Sequence, residues 1–185
     1  ALCDSPAWVP GDTNGVQLDP NVEKIAQVIM PAIMETWEAE DDRTAAIEIC
    51  QSFASCLNKC GPGLISPQWI EPTCQLTLQI LEKKAPSQID PEADEDEETE
   101  DSSEYESVLI SAAMDLVGAM AYVLCDSFMT PMRQFLPLLC KYYSPGRSVT
   151  DRATAIGSLG EITVNMKRAI TPFTQDILAI LSHAV

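Results

Sequence analysis

The chain of 185 residues carries 28 acidic against 11 basic residues, a formal net charge of −17, and is 46% hydrophobic. That length can bury a core of ordinary size, and the apolar content excludes a wholly disordered acidic protein. The charge disfavours nucleic acid and anionic lipid and favours basic partners, and a single histidine, His183, argues against Ser-His-Asp, Cys-His and multi-histidine metal chemistry.

Pro6, Pro10, Gly11 and Gly15 make the start of the chain irregular, and residues 1–18 are set apart as an irregular segment. It opens Ala-Leu-Cys-Asp, without the basic region of a signal peptide and without an initiator methionine, so we expect a fragment of a longer protein. Asp19-Pro20 is an N-cap followed by proline at the first helical position. Val22, Ile25, Ile29, Ile33 and Trp37 then predict an amphipathic first helix with a kink at Pro31. A second helix starts at Asp41-Asp42, puts Ala46, Cys50, Phe53 and Leu57 on one face, and stops at Gly61-Pro62-Gly63. Ser66-Pro67 opens a third, running to about Lys84.

Between Asp90 and Glu106 lie eleven acids and no base; without them the rest of the chain carries only −6. We expect residues 86–103 to be a mobile loop between two helices of one repeat. It has two readings: a docking surface for a basic tail, or a solvated spacer. Asp90-Pro91-Glu92-Ala93-Asp94-Glu95 lacks the glycine of a calcium loop. Ser103, ahead of Glu104 and Glu106, is a weak match to an acid-directed kinase site.

A fourth helix, from about Glu104 to Phe128, is apolar or small at almost every position from Val108 to Cys125. Such a helix is buried on several sides or spans a membrane. Asp115 lies in its middle, where a bilayer would impose about 2.5–3.5 kcal/mol, so burial between flanking helices is the expectation. Ser111 and Asp115, four apart, call for an internal partner or a ligand. Thr130-Pro131 opens a fifth helix, to about Tyr143, and Ser144-Pro145-Gly146 is a turn. The sixth, about Thr150 to Arg168, carries a polar stripe of Thr154, Ser158, Glu161 and Asn165 opposite Ala155, Leu159, Ile162 and Met166. Thr171-Pro172 opens a seventh. No run shows the two-residue alternation of a half-buried strand.

The helices repeat. Thr130-Pro131-x-x-Gln134-x-Leu136 recurs as Thr171-Pro172-x-x-Gln175-x-Ile177, displaced by 41. Asp42-Arg43-x-x-Ala46-Ile47 recurs as Asp151-Arg152-x-x-Ala155-Ile156, displaced by 109, and Cys50, Phe53 and Leu57 then fall opposite Leu159, Ile162 and Met166. A period near 40 built from two helices predicts an all-α fold, a HEAT-repeat α-solenoid. The solenoid occupies residues 19–185, with repeats at about 19–61, 66–129, 130–168 and a partial one at 171–185.

The seven cysteines (Cys3, Cys50, Cys56, Cys60, Cys74, Cys125 and Cys140) are odd in number and sit in apolar stretches, which reads as reduced thiols in cytosol or nucleus. Cys56 and Cys60 have no second ligand pair, so no metal site is expected. Trp8, Trp37 and Trp69 read as packing residues, and His183 as structural. The sequence holds no phosphate loop, nucleophile elbow, HExxH helix or dinucleotide fingerprint, so neither an enzyme nor a cofactor is expected.

Glu104-Tyr105-Glu106-x-x-Leu109 after an acidic loop, the small-residue helix, Asp126-Ser127-Phe128, Phe135-Leu136-Pro137-Leu138-Leu139 and Asp151-Arg152-x-x-Ala155-Ile156-Gly157-x-Leu159-Gly160-Glu161 together resemble the carboxy-terminal half of importin-β-type karyopherins. The resemblance is clear over 104–185 and one of repeat shape over 20–84; Gly160 departs from it, standing where alanine is expected. It implies a nuclear transport receptor shuttling between cytoplasm and nucleus through the pores of the nuclear envelope. It also implies basic protein cargo, such as core histones and ribosomal proteins, on a concave face formed by the second helix of each repeat. Ran-GTP and phenylalanine-glycine nucleoporins would be met by the full-length protein, with no nucleic acid and no membrane. On that basis the candidate cargo-binding residues are Asp94, Glu95, Asp96, Glu97, Glu98, Glu100 and Asp101 of the loop, Ser111 and Asp115 of the fourth helix, and Ser158, Glu161 and Asn165 of the sixth. Glu161 would pair with Lys or Arg and Asn165 with peptide backbone. The polar stripe is equally the solvent face of any amphipathic helix. A HEAT scaffold or adaptor outside transport is the alternative, because fold does not fix function.

Overall fold

Local chemistry sets where each helix begins and ends. In a computed structural model, which describes residues 20–89 and 100–182, α1 spans Pro20–Ala39 and α2 spans Arg43–Cys60. Asp42 caps α2: its Oδ1 accepts the Ala45 N–H at 2.8 Å. Gly61 ends it at φ 66° and ψ −160°, a backbone region that glycine alone occupies without strain, while its N–H still reaches the Leu57 carbonyl. Helix α3 runs Pro67–Leu81 with proline at its first position. Then follow α4 (Glu100–Leu124), α5 (Met129–Tyr142), α6 (Val149–Met166) and α7 (Thr174–Ser182). Short 3₁₀ turns occupy Gly61–Gly63, Pro86–Gln88, Cys125–Phe128 and Lys167–Phe173, and no strand occurs among the described residues.

The helices form two rows. Helices α2, α4 and α6 lie side by side with α4 in the middle; α1 packs on α3 and α3 on α5, and α3–α4 and α5–α6 contacts join the rows. This is the all-α, HEAT-type solenoid arrangement of stacked helix pairs. Leu109, Ala113, Met114, Leu116, Val117, Met120 and Ala121 of α4 have no exposed surface. The run long and apolar enough to cross a bilayer is thus covered by α2, α3 and α6.

Both internal repeats show in the core. Cys50, Phe53 and Leu57 are buried, and so are Leu159, Ile162 and Met166 at a displacement of 109. Met132 and Leu136 are buried, and so are Phe173 and Ile177 at a displacement of 41. The start of the longer motif differs, however. Asp42 is the N-cap of α2, whereas Asp151 sits inside the first turn of α6 and gives its N–H to the true cap, Ser148, at 3.0 Å. The paired arginines also diverge. Arg43 donates from Nε to the Ser87 carbonyl at 3.0 Å, and the Arg152 guanidinium lies 5.1 Å from the centroid of the Tyr143 ring.

Several boundaries depart from expectation. Helix α1 buries Met30, Met34 and Trp37, not the Ile25–Ile29 stripe, and Ile25 and Ile29 are 44% and 45% exposed. The helix carries two apolar stripes. Phe53 packs against Trp37 (ring centroids 6.1 Å apart) and Thr73 lies against Met34, so only one stripe is covered. Within the expected loop 86–103, Pro86–Gln88 forms a packed 3₁₀ turn and α4 already begins at Glu100, while residues 90–99 lie outside the described residues. Positive φ values at Cys125 (46°) and Lys167 (51°) end α4 and α6 earlier than the apolar periodicity suggests. Helix α7 begins only at Thr174, after a 3₁₀ run through Thr171-Pro172. Trp8, Cys3 and His183 lie outside the described residues.

No disulfide joins the described cysteines. Burial pushes the Cys50 thiol up to about 12, and burial with the Glu71 charge pushes Cys74 up to about 12. Iodoacetamide at neutral pH is therefore expected to modify exposed Cys56 while leaving Cys50 and Cys74 unmodified until the chain unfolds, as peptide mapping would show. Gly61→Ala is expected to lower stability by about 1–3 kcal/mol in chemical denaturation, because alanine is strained at that φ and ψ.

Candidate peptide-binding face

The exposed sides of α2, α4 and α6 form one surface with two adjoining depressions. The larger, about 410 Å³, is lined by Gln51 and Asn58 of α2, Asp115, Gly118 and Tyr122 of α4, and Glu161 and Asn165 of α6. The smaller, about 210 Å³, is lined by Gln51, Ser107, Ser111, Asp115, Thr150 and Thr154. Gln51 and Asp115 border both. On α4 the contributors Ser107, Ser111, Asp115, Gly118 and Tyr122 recur at spacings of four and three, which is one face of a helix. No lysine or arginine lines either depression.

Two hydrogen bonds and one close approach join α6 to α4. Ser158 donates from Oγ to the Met114 carbonyl at 3.2 Å, and Asn165 donates from Nδ2 to the Gly118 carbonyl at 3.3 Å. Glu161 Oε2 lies only 3.1 Å from where a Cβ on residue 118 would stand, so glycine there lets the carboxylate lie along the backbone of α4. Ser158 is thereby removed from the candidate contacts: it is 6% exposed and its hydroxyl is engaged within the fold. The regular spacing of the α6 stripe hid this, because the stripe straddles the edge of the α4–α6 contact. Asn165 keeps its Oδ1 and a second amide hydrogen for other partners.

Asp115 has an exposed side chain, so it does not demand the buried partner that its apolar helix suggested. Its carboxyl is nevertheless pushed above the ordinary carboxylate range, first by lost hydration and second by the charge of Glu161. Glu161 and Asp115 thus face the same groove as like charges. Gln51, Asn58 and Tyr122 did not emerge from the sequence as site residues. Gln51 and Asn58 each follow a buried residue of α2, Cys50 and Leu57, at a spacing of seven; that offset was the available signal.

Only the last residues of the acidic segment belong to the described structure. Asp94, Glu95, Asp96, Glu97 and Glu98 lie outside the described residues; Glu100 and Asp101 form the first turn of α4. The base of the segment is closed by Gln88, whose Nε2 donates to the Ile80 carbonyl and to Glu106 Oε1, each at 3.0 Å. The Ala85 N–H donates to Gln88 Oε1 at 3.2 Å, and Lys83 Nζ lies 3.4 Å from Glu106 Oε1. Directly after this closure, at Ser107 and again one turn later at Ser111, α4 borders the smaller depression.

Comparison with known proteins follows the same outline. No family model matches the chain. The chain is 30% identical, in an alignment of 192 positions that spans all of it, to a probable importin subunit beta-4 of Schizosaccharomyces pombe, of which it covers 18%. It is 26% identical over 155 residues to importin-4 of Homo sapiens, covering 83% of the chain and 14% of that protein. With importin-4 of Mus musculus the figures are 27% over 169 residues, 88% and 15%. The chain therefore spans less than a fifth of the length of these relatives.

Because the folded state raises the Asp115 pKa, it favours the protonated carboxyl; the stability this gives is present below the unfolded pKa and is lost as pH rises through the folded one. Asp115→Asn is thus expected to raise the melting temperature at pH 7, with the gain shrinking as the pH falls below the ordinary carboxylate range. Thermal melts across that pH span, wild type against variant, measure it; a variant that is less stable at pH 7 would contradict the assignment.

Proposed function

We propose that this homologue of one segment of the importin-β-type karyopherins is part of a nuclear import receptor, and that α2, α4 and α6 hold an extended Lys/Arg-rich stretch of its protein cargo. The observation that carries the cargo reading is the pair Asp115 and Glu161 facing one polar groove that no basic side chain of the described residues enters. A cationic side chain entering between them favours the ionised Asp115 against the lost hydration and, second, the Glu161 charge that disfavour it. Ser111, Gln51, Asn58 and the free valences of Asn165 supply donors and acceptors for an extended backbone alongside.

Charge acts at two ranges. The net −17 concentrates cationic peptide near the surface and raises the rate of encounter. Single exposed ion pairs contribute only about 0–1 kcal/mol each, so the segment containing Asp94–Glu98 steers more than it holds, and its contribution fades with salt. Register comes from the carboxylates fixed on rigid helices. Core histones and ribosomal proteins have tails of this composition and are the proposed cargo. Ran-GTP and phenylalanine-glycine nucleoporins are proposed partners of the whole receptor, which would shuttle between cytoplasm and nucleus.

The test is calorimetric titration of a histone-tail peptide at low and high salt into wild type, a deletion of residues 90–99, and the double variant Asp115→Ala/Glu161→Ala. The deletion is expected to weaken binding chiefly at low salt. The double variant is expected to weaken it about 3- to 30-fold at both, the effect of losing two exposed pairs. If both variants bind like wild type at every salt concentration, the cargo contacts lie elsewhere.

A further inference from the structure

Buried small positions of α4 carry alanine at 112, 113, 119 and 121. Residue 118, also buried, is glycine, which weakens a helix interior relative to alanine. Close approach of a neighbouring backbone does not account for the exchange. Within 4 Å of where a Cβ on residue 118 would stand, no backbone atom of another helix is found; the space belongs to the Glu161 carboxylate, with Oε2 at 3.1 Å. The glycines of α6, Gly157 and Gly160, have nothing within that distance.

We infer that Gly118 is the positioning residue of the polar groove: it seats the Glu161 carboxylate against α4 one turn from Asp115, so that one cationic side chain of the cargo meets both acids. The inference rests on the cargo reading above and names what arranges its site. Asp115 and Gly118 are three apart, so their β-carbon positions stand about 5–6 Å from each other on one face of α4. With Glu161 Oε2 at 3.1 Å from the second of these positions, the two carboxylates share a space that a single guanidinium or ammonium group bridges. The Glu161 charge is already felt at Asp115, whose carboxyl is raised first by lost hydration and second by that charge. The backbone of the same residue also serves the groove. The Gly118 carbonyl accepts from Asn165 Nδ2 at 3.3 Å, so Glu161 and Asn165, four apart on α6, both close on residue 118. A Cβ there would ask the carboxylate to give way by a few tenths of an ångström, and a branched side chain would take its place.

A double-mutant cycle between residues 118 and 161 tests this, read by calorimetric titration of the histone-tail peptide at low and high salt. Gly118→Val is expected to weaken binding about 2- to 5-fold, as Glu161→Gln does, with Gly118→Ala between it and wild type. In the Glu161→Gln background Gly118→Val is expected to weaken binding no further, because both changes remove the same contact. It is also expected to flatten the salt dependence, which loss of an ion pair does and a packing defect does not. Gly118→Ala is expected to melt no lower than wild type, since alanine suits the helix better. If Glu161→Gln weakens binding while both residue-118 variants bind like wild type, the inference falls and the cargo reading stands. The same holds if Gly118→Val weakens binding by one factor in wild type and in the Glu161→Gln background alike. If Glu161→Gln binds like wild type the inference also falls, and if Asp115→Asn does so too the cargo reading falls with it.

Discussion

The structure depends on α4 being buried on every side but one narrow strip. A helix apolar almost all round has to be covered almost all round, and among these helices α2, α3 and α6 do the covering. Seven of its side chains have no exposure at all. Small residues at Ala112, Ala113, Gly118, Ala119 and Ala121 let those neighbours come close, and close packing over that length is worth far more than any single polar contact in the molecule. The order of the two rows, and with it the surface where α2, α4 and α6 line up, follows from satisfying this one helix.

The polar face is the remainder of that arrangement. Asp115 occupies the narrow strip of α4 left open between α2 and α6, which is why a charged residue stands in the middle of a run that otherwise reads as core. Its neighbours across the strip are polar without being basic, so the repulsion between Asp115 and Glu161 is left unanswered from within the described fold. A rigid scaffold holding a small unfavourable charge arrangement at an open surface is a common physical basis for recognition of the opposite charge.

Much of this was legible in the sequence, and the failures have identifiable causes. Caps and prolines marked the start of α2 and α3 because Asp42 and Ser66-Pro67 act through local bonds. The two internal repeats found the right core positions because buried residues in a stacked pair must recur in register. Periodicity failed in part for α1, where two apolar stripes compete: it found Trp37 but followed Ile25 and Ile29 in place of Met30 and Met34. It failed for Ser158, since a small hydroxyl residue fits a tight helix contact as well as it fits water. Helix ends at Cys125 and Lys167 escaped notice because positive φ at a residue other than glycine or asparagine leaves no mark in composition.

The closure made by Gln88, Glu106 and Lys83 has a bearing on how such a chain can change over time. It ties the two ends of the acidic segment together with bonds that belong to the helix pair, and none of them is contributed by residues 90–99. Closing a flexible connection between two fixed ends costs a free energy that grows only with the logarithm of its length, about 0.6 kcal/mol for each doubling. Because the Gln88–Glu106 closure holds both ends through bonds of the helix pair itself, a change of length or charge between them would fall lightly on the stack. Selection on that stretch is thereby uncoupled from selection on the core, and its length and charge are free to drift or to be tuned to a partner while the helices beneath stay as they are.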